Sequence, residues 1–251
     1  MTTLKVFAKK ILPRPALLAV RKAREKLLAP DHSQAGETRL LRNLVNDFEC
    51  QRWIIDVGAN DGITISNSFP FVKLGWRAIL IEPAPLVFKK LTANCGHYDN
   101  VLCLQVACCD KPGEGNLYFG SDGEDGFMST LCTSENEWFN RHRGPSFVRV
   151  KTDSLTGILE RYHAPDRPGI LLVDCEGMDY EVLLGLDFRQ FRPTIIVTEE
   201  YEWEPEKHAA KYGLLIRARY SLVQKVGCNT FWIDRAAEPR HERENRRPAN
   251  C

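Results

Sequence analysis

Acidic side chains follow the apolar runs of this sequence at positions where buried strands would end. Asp174 and Glu176 come directly after the run 169–173, and Glu199 ends the next such run along the chain. The i, i+2 spacing of Asp174 and Glu176 places both side chains on one face if the strand continues. Carboxylates in this position can accept or relay the proton of a substrate hydroxyl. We therefore predict that Asp174, Glu176 and Glu199 are catalytic.

Two other roles of these carboxylates stay open. Together they could hold a hard divalent cation that lowers the pKa of a hydroxyl, but carboxylates without further ligands do not define a metal, and we predict none. Acids at strand ends also cap loops or form salt bridges. Among the histidines, His142 is the one that could handle a substrate or a proton, because it lies in a long irregular stretch.

A glycine-containing turn follows an earlier apolar run, Trp53-Ile54-Ile55. The segment Asp56-Val57-Gly58-Ala59-Asn60-Asp61-Gly62 leads from this predicted strand towards a predicted helix. Backbone N–H groups converge at such a turn without side-chain bulk, which makes a nucleotide-type binding site. Asp56 and Asp61 would repel a pyrophosphate, and the G-x-G-x-x-G spacing of dinucleotide-binding loops is absent.

The charges favour S-adenosylmethionine (SAM), which has no phosphate and carries an ammonium and a sulfonium. Glu82 closes the next apolar run, twenty residues after Gly62, where an acidic residue can accept hydrogen bonds from ribose hydroxyls. The alternatives are a NAD-type site, as in an NAD(P)-linked oxidoreductase, and a turn without a ligand. The predicted cofactor-binding residues are Asp56, Gly58, Ala59, Asn60, Asp61, Gly62, Glu82, Pro83, Ala107 and Cys108.

Strand-length apolar runs alternate with helical patterns along most of the chain. The predicted strands cover 52–57, 77–82, 101–108, 169–174 and 193–199, and the predicted helices lie near 37–50, 62–73, 86–93, 152–162, 179–186 and 204–217. The segments 220–226 and 229–233 are too close for an intervening helix and must form an antiparallel hairpin. This pattern predicts an α/β fold with a mostly parallel seven-stranded sheet ending in an antiparallel hairpin, the Rossmann-like architecture of class I SAM methyltransferases.

Composition divides the chain into three parts. Residues 1–35 are rich in Lys and Arg and predict a basic helical arm, which packs on the domain or on a second subunit or contacts an anionic membrane through residues 1–30. Residues 36–234 form the predicted methyltransferase domain, and the polar residues 235–251 predict a disordered tail. Within the domain, the glycine-rich stretch 109–145 predicts a substrate flap, with an ordinary surface insertion as the alternative.

The bulk properties predict a cytoplasmic protein. Lys and Arg number 34 against 33 Asp and Glu, so no charge bias points to nucleic acid. No stretch is apolar enough to span a membrane, and Pro13, Arg14 and Pro15 interrupt any signal-peptide core. The nine scattered cysteines without a C-x-x-C pair indicate reduced thiols. A peripheral contact with the inner membrane face and the oligomeric state stay open.

Three motifs together resemble the FkbM family of SAM-dependent methyltransferases. They are the segment 56–62, Ile81-Glu82-Pro83, and Val173-Asp174-Cys175-Glu176-Gly177 followed by Glu181-Val182-Leu183-x-Gly185. The similarity runs from about Trp53 to Ile233, and its most specific part is D-x-E-G, in which Cys175 replaces an aliphatic residue.

The resemblance implies a class I fold, SAM as the methyl donor, and methyl transfer to a hydroxyl. It implies sugar acceptors, in glycan and lipooligosaccharide pathways, or macrolide-type natural products. By position it makes the glycine-rich turn and Glu82 contacts of SAM, and Asp174 and Glu176 active-site acids. We therefore predict an O-methyltransferase whose partner is a small-molecule or glycan substrate. The oxidoreductase and a non-catalytic scaffold on the same fold are the alternatives.

Overall fold

The computed structural model describes residues 32–121, 123–124, 128–131, 143–200 and 205–239. The predictions for most of the N-terminal arm, for residues 240–251 and for His142 lie outside these residues. The helices are Glu37–Asp47 (α1), Phe69–Lys73 (α2), Pro85–Cys95 (α3), Leu155–Arg161 (α4), Asp179–Leu184 (α5) and Pro205–Arg217 (α6). The strands are Trp53–Val57 (β1), Arg77–Ile81 (β2), Val101–Leu104 (β3), Ala107–Cys109 (β4), Gly113–Gly120 (β5), Ser129–Thr130 (β6), Arg143–Ser154 (β7), Ile170–Val173 (β8), Ile195–Glu199 (β9), Tyr220–Val226 (β10) and Asn229–Asp234 (β11).

The main sheet has seven strands in the order β10-β11-β9-β8-β1-β2-β3. The five strands from β9 to β3 run parallel. Strand β11 lies between β9 and β10 and is antiparallel to both. The predicted fold class, a mostly parallel sheet that ends in an antiparallel hairpin, is confirmed.

The central strands are buried on both faces, which is why their sequences are continuous apolar runs. Their side chains alternate between two hydrophobic clusters on opposite faces of the sheet. One cluster contains Ile55, Val57, Ile79, Ile81, Leu171 and Val173. The other contains Ile54, Ala78, Leu80, Ile170, Leu172 and the α1 residues Leu41 and Leu44. The sheet is therefore covered on both sides, and its strand ends are the places where polar groups reach solvent.

A second sheet of four strands, in the order β4-β7-β5-β6, occupies part of the stretch 109–145. The predicted single strand 101–108 is wrong in this respect: β3 ends at Leu104 in the main sheet, and β4 pairs with Thr152–Ser154 of the second sheet. The predicted helix 62–73 is also wrong over its first half. Helix α2 begins only at Phe69, because the Asp61 carboxylate holds the N–H groups of Ile63 and Thr64 in a local turn.

No helix in the described ranges is both long enough and apolar enough to cross a membrane. Likewise, no disulfide joins the cysteines within those ranges. Burial raises the pKa of the Cys95 thiol to about 12, so this thiol stays protonated and is a poor nucleophile at neutral pH.

Candidate active site

The register of the main sheet brings four sequence-distant residues into one row. Val57 of β1 is opposite Ile81 of β2 and Val173 of β8, and Val173 is opposite Thr198 of β9. The residues that follow this row are Gly58, Glu82, Asp174 and Glu199. The polar ends of four parallel strands therefore meet at the carboxyl edge of the sheet, where open α/β sheets bind ligands.

A cavity of about 310 Å³ opens at this edge. Asp61 and Gly62 do not line it, whereas the other predicted site residues do. These lining residues are Asp56, Gly58, Ala59, Asn60, Glu82, Pro83, Ala107, Cys108, Asp174, Glu176 and Glu199. Asp56, Glu82 and Asp174 thus face one shared space.

The turn after β1 packs against the end of β8. Gly58 has a φ of +86°, and a Cβ atom at this position would lie 1.7 Å from the backbone oxygen of Asp174. The N–H groups of Gly58 and Ala59 both donate to the carbonyl of Ile81 at 3.0 Å. Only glycine allows this close approach of the β1 turn to the Asp174 strand end.

Asp61 acts within its own turn. Its carboxylate accepts the N–H groups of Ile63 at 2.9 Å and Thr64 at 2.7 Å, together with the Thr64 hydroxyl at 2.6 Å. Burial alone would raise the pKa of Asp61, but these hydrogen bonds and the charge of Lys90 lower it. The geometry assigns Asp61 to shaping the loop, and its role as a cofactor contact stays a prediction.

Glu82 is a buried carboxylate that organises the cavity wall. It accepts the N–H of Asn60 at 3.1 Å through one oxygen and the N–H of Ala84 at 2.8 Å through the other. Burial, and to a smaller extent the charge of Asp56, raises its pKa to about 7, although the two backbone hydrogen bonds oppose the shift. Burial likewise raises the pKa of Asp56 to about 6, although the hydrogen bond that Ser68 donates to its carboxylate opposes the shift.

Asp174 and Glu199 form a coupled pair. Asp174 opens onto the cavity, and its carboxylate lies within hydrogen-bond reach of the Glu199 carboxylate. Asp174 is exposed to the open cavity, yet its pKa is well above its usual range, first because the surrounding protein displaces part of the bulk water around it and then because of the charge of Glu199, with smaller contributions from Asp179 and Asp56. Two carboxyl groups this close resist joint ionisation, so the loss of the last proton from the pair is shifted to higher pH.

Glu176 sits in a tight bend after β8. Glu176 and Gly177 have φ values of +48° and +93°, and the Thr130 hydroxyl of β6 donates to the carbonyl of Glu176 at 2.7 Å. Carboxylate oxygens of Asp174, Glu176 and Glu199 all lie within 4.8 Å of one another. A divalent cation would fit such a set, but three carboxylates alone do not define a metal, and we assign none.

The cavity also includes residues that the sequence analysis missed. Asn229 begins β11 and pairs with Glu199, so the antiparallel hairpin returns the chain to the edge of the sheet where the cavity opens, a placement that the predicted topology could have indicated. Within the described part of the chain, the buried Oγ of Ser129 has no hydrogen-bond partner. No motif marks these positions. The additional polar lining residues are Gln34, Thr64, Ser66, Asn67, Ser129, Thr130, Cys228 and Asn229.

Comparison with known proteins identifies one family. The family model described as methyltransferase FkbM domain matches residues 56–222, which is more than half of the chain. The structure of methyltransferase FkbM from Methylobacillus flagellatus KT is 14% identical with a TM-score of 0.45; the match covers 73% of this chain but only 43% of that protein's length. The O-methyltransferase from Bacillus cereus in complex with SAH is 13% identical with a TM-score of 0.44, over 89% of this chain and 92% of that one. No curated protein matches the sequence.

Proposed function

The chain belongs to the FkbM methyltransferase family, and from this premise we propose that it transfers a methyl group from SAM to a hydroxyl of a sugar, glycan or related natural product. The observation that carries this proposal is the row of Gly58, Glu82, Asp174 and Glu199 at one cavity. It combines a tight glycine turn with carboxylates that suit a cationic cofactor without phosphate.

The residues present fit SAM, which supplies an electrophilic methyl group on a sulfonium. Gly58 lets the turn pack directly against the backbone of Asp174, which brings the turn and the Asp174 carboxylate to the same cavity. Glu82 keeps lone pairs in addition to the two that its backbone donors use, so it can accept ribose hydroxyls. The carboxylates of Asp56 and Asp174 add negative charge around the positively charged part of the ligand.

The Asp174–Glu199 pair is the proposed proton acceptor. A carboxylate with an ordinary pKa is a weak base for a hydroxyl, and a raised pKa makes it a stronger one. Glu199 and the removal of water both raise the pKa of Asp174. The raised pKa belongs to the loss of the last proton from the pair, so the pair with both carboxyl groups ionised takes up the proton of the acceptor hydroxyl and then shares it between Asp174 and Glu199.

The acceptor side of the cavity supports a hydroxyl-rich substrate. Uncharged hydrogen-bonding groups line it, among them the amides of Gln34, Asn67 and Asn229. The unpartnered hydroxyl of Ser129 adds a donor and acceptor that a sugar hydroxyl could satisfy. Such groups recognise a polyol through several directional hydrogen bonds.

The proposal is tested by methyl transfer from radiolabelled SAM to a panel of neutral saccharides and hydroxylated natural products. We expect Asp174→Asn and Glu199→Gln to lower kcat by about 10² to 10³-fold while SAM still binds, because a general base contributes on this scale. Glu200→Gln is the matched control, because Glu200 accepts from Tyr212 at 3.0 Å and does not line the cavity. Undiminished turnover in the Asp174 variant, or label found only on non-hydroxyl acceptors, would contradict the proposal.

We also propose a cytoplasmic location in which the basic residues 1–30 contact an anionic membrane surface. The support is the excess of Lys and Arg in this segment. Removal of residues 1–30 should weaken binding to vesicles that contain anionic lipids; unchanged vesicle binding would refute the contact.

A further inference from the structure

A buried carboxylate outside the cavity joins the two strand ends that carry the acids. Asp179 begins α5 and is only 2% exposed. Its Oδ2 accepts the N–H of Cys175 at 3.3 Å, and its Oδ1 accepts the N–H of Glu199 at 3.0 Å. One side chain thus binds the backbone next to Asp174 and the backbone of Glu199 itself.

Two lysines of α6 bind the same strand ends from the other side. Lys211 is 3% exposed, and its Nζ donates to the carbonyl of Glu199. Lys207 donates from Nζ to the carbonyl of Gly177 at 2.5 Å and pairs with Glu181 at 2.8 Å. The peptide groups on both sides of Glu199 are therefore held, its N–H by Asp179 and its carbonyl by Lys211.

We propose that Asp179 and Lys211 are positioning residues that set the distance between the Asp174 and Glu199 carboxylates. Neither residue lines the cavity, so neither contacts the cofactor or the acceptor directly. The inference rests on the proposed function of the Asp174–Glu199 pair as the proton acceptor.

The energetics of buried charge support a role beyond packing. Burial raises the pKa of Asp179, while Lys211 and the backbone donors lower it, so the pair partly offsets the cost of burying two charges. A hydrophobic pair of similar volume could fill the same space at less cost. What such a pair would lack is the two directional hydrogen bonds to Glu199 and the one to Cys175.

The first test uses the unmodified protein. Amide hydrogen exchange should show the N–H groups of Cys175 and Glu199 in the slowly exchanging class, because both donate to a buried carboxylate. Exchange at the rate of an open amide for both groups would show that the contact does not exist and would overturn the proposal. This measurement needs neither cofactor nor acceptor, so its failure is distinct from failure of the proposed function.

The second test separates positioning from stability. Asp179→Asn keeps the size of the side chain but leaves one N–H without an acceptor and Lys211 without a counter-charge. We expect kcat for the best acceptor found to fall by about 10²-fold, with KM and the Kd for S-adenosylhomocysteine changed less than about threefold. The double variant D179N/K211M removes both buried charges; we expect it to recover stability without recovering kcat.

Asp234→Asn is the matched control. Asp234 is also buried, pairs with Arg192 and Arg167, and lies at the opposite end of β9, where its N–H donates to Thr194. Its loss should lower the melting temperature but leave kcat within about threefold of the unmodified protein. A folded Asp179→Asn or double variant with normal kcat would overturn the proposal. If S-adenosylhomocysteine does not bind the unmodified protein, the proposed function fails instead.

Discussion

At the scale of single residues, the site combines two buried carboxylates, Asp56 and Glu82, with three that the open cavity leaves partly or fully exposed, Asp174, Glu176 and Glu199. Asp56 and Glu82 are each less than one-tenth exposed, and burial raises the pKa of both. Burial of a carboxylate is unfavourable unless a ligand or a hydrogen bond compensates it. The hydrogen bonds from Ser68 to Asp56 and from two backbone N–H groups to Glu82 compensate part of this cost, and a cationic ligand in the cavity would compensate more.

Replacement of Glu82 by Gln tests its role in binding the cofactor. The substitution removes the negative charge and leaves one of the two backbone donors, Asn60 or Ala84, without an acceptor. We expect the Kd for SAM to rise by about tenfold or more, since hydrogen bonds to charged groups contribute about 1.5–3 kcal/mol. Calorimetric titration measures this. Glu114→Gln, an exposed carboxylate paired with Arg149, should leave the Kd unchanged.

The raised pKa values predict opposite effects of pH on stability and on binding. Burial raises the pKa of Asp56 from 3.8 to about 6 and the pKa of Glu82 from 4.5 to about 7. The folded protein therefore binds more protons than the unfolded protein at pH values between about 4 and 7. The free energy of unfolding contributed by these groups therefore falls as pH rises from about 4 to 7. SAM, in contrast, favours the ionised carboxylates.

We expect the affinity for SAM to increase by about tenfold from pH 6 to pH 8, since about one-tenth of a group with pKa 7 is ionised at pH 6. Calorimetry at the two pH values checks the affinity, and urea unfolding without ligand checks the stability. Tighter binding at pH 6 would contradict this account of Glu82.

Sequence reasoning could predict where most of these acids lie but not how each one is used. Glu82, Asp174 and Glu199 follow apolar runs, and the geometry of parallel strands brings such positions together. Asp61 has the same residue type and a similar neighbourhood in sequence, yet it binds its own turn. The difference depends on the direction of one side chain, which no spacing rule encodes.

At the scale of elements, the turn after β1 must approach the end of β8 closely. Gly58→Ala would place a Cβ atom 1.7 Å from the backbone oxygen of Asp174 at a φ of +86°. We expect loss of SAM binding and a large decrease in the melting temperature, because the backbone at Gly58 and the backbone at Asp174 cannot move apart without displacing β1 or β8. Gly75→Ala is the matched control. It has a similar φ of +78° but open space around the added atom, so it should cost only about 1–2 kcal/mol.

Strand β6 of the second sheet holds the bend that presents Glu176. Thr130→Val keeps the shape of the side chain and removes the hydrogen bond to the Glu176 carbonyl. We expect kcat to fall by about three- to tenfold while the Kd for SAM stays constant, since one buried hydrogen bond contributes about 1 kcal/mol. Thr152→Val, which removes a 3.4 Å hydrogen bond to Lys111 between two residues that do not line the cavity, should change neither. Equal effects of the two substitutions would contradict a role for β6 in the site.

The errors in the predicted elements have two physical causes. The run 101–108 is apolar except for Gln105, and one polar residue does not by itself end a predicted strand, so the division into β3 and β4 is decided by the pairing of β4 with β7, more than 40 residues away. The late start of α2 follows from side-chain hydrogen bonds of Asp61, which compete with a helix. Pairing with a distant strand and local side-chain hydrogen bonds both override the secondary structure that the hydrophobic pattern alone predicts.

At the scale of the whole molecule, one cavity collects residues from almost the full described length. Gln34 precedes α1, Ser129 belongs to the second sheet, and Asn229 begins the strand inserted between β9 and β10. The parallel strands supply the acids that we propose for the cofactor, and their meeting follows from the sequence because the carboxyl ends of parallel strands lie at one edge of the sheet. The uncharged polar lining comes from the segment before α1, the loop before α2, the second sheet and the hairpin, which is why no single motif marks it.

A crystal structure of the protein with S-adenosylhomocysteine tests the central claim most directly. We predict that the ligand occupies the cavity with its ribose hydroxyls bound to the Glu82 carboxylate and its sulfur directed towards Asp174 and Glu199. Ligand density elsewhere on the molecule, or a cavity that binds no S-adenosylhomocysteine at saturating concentration, would contradict the account.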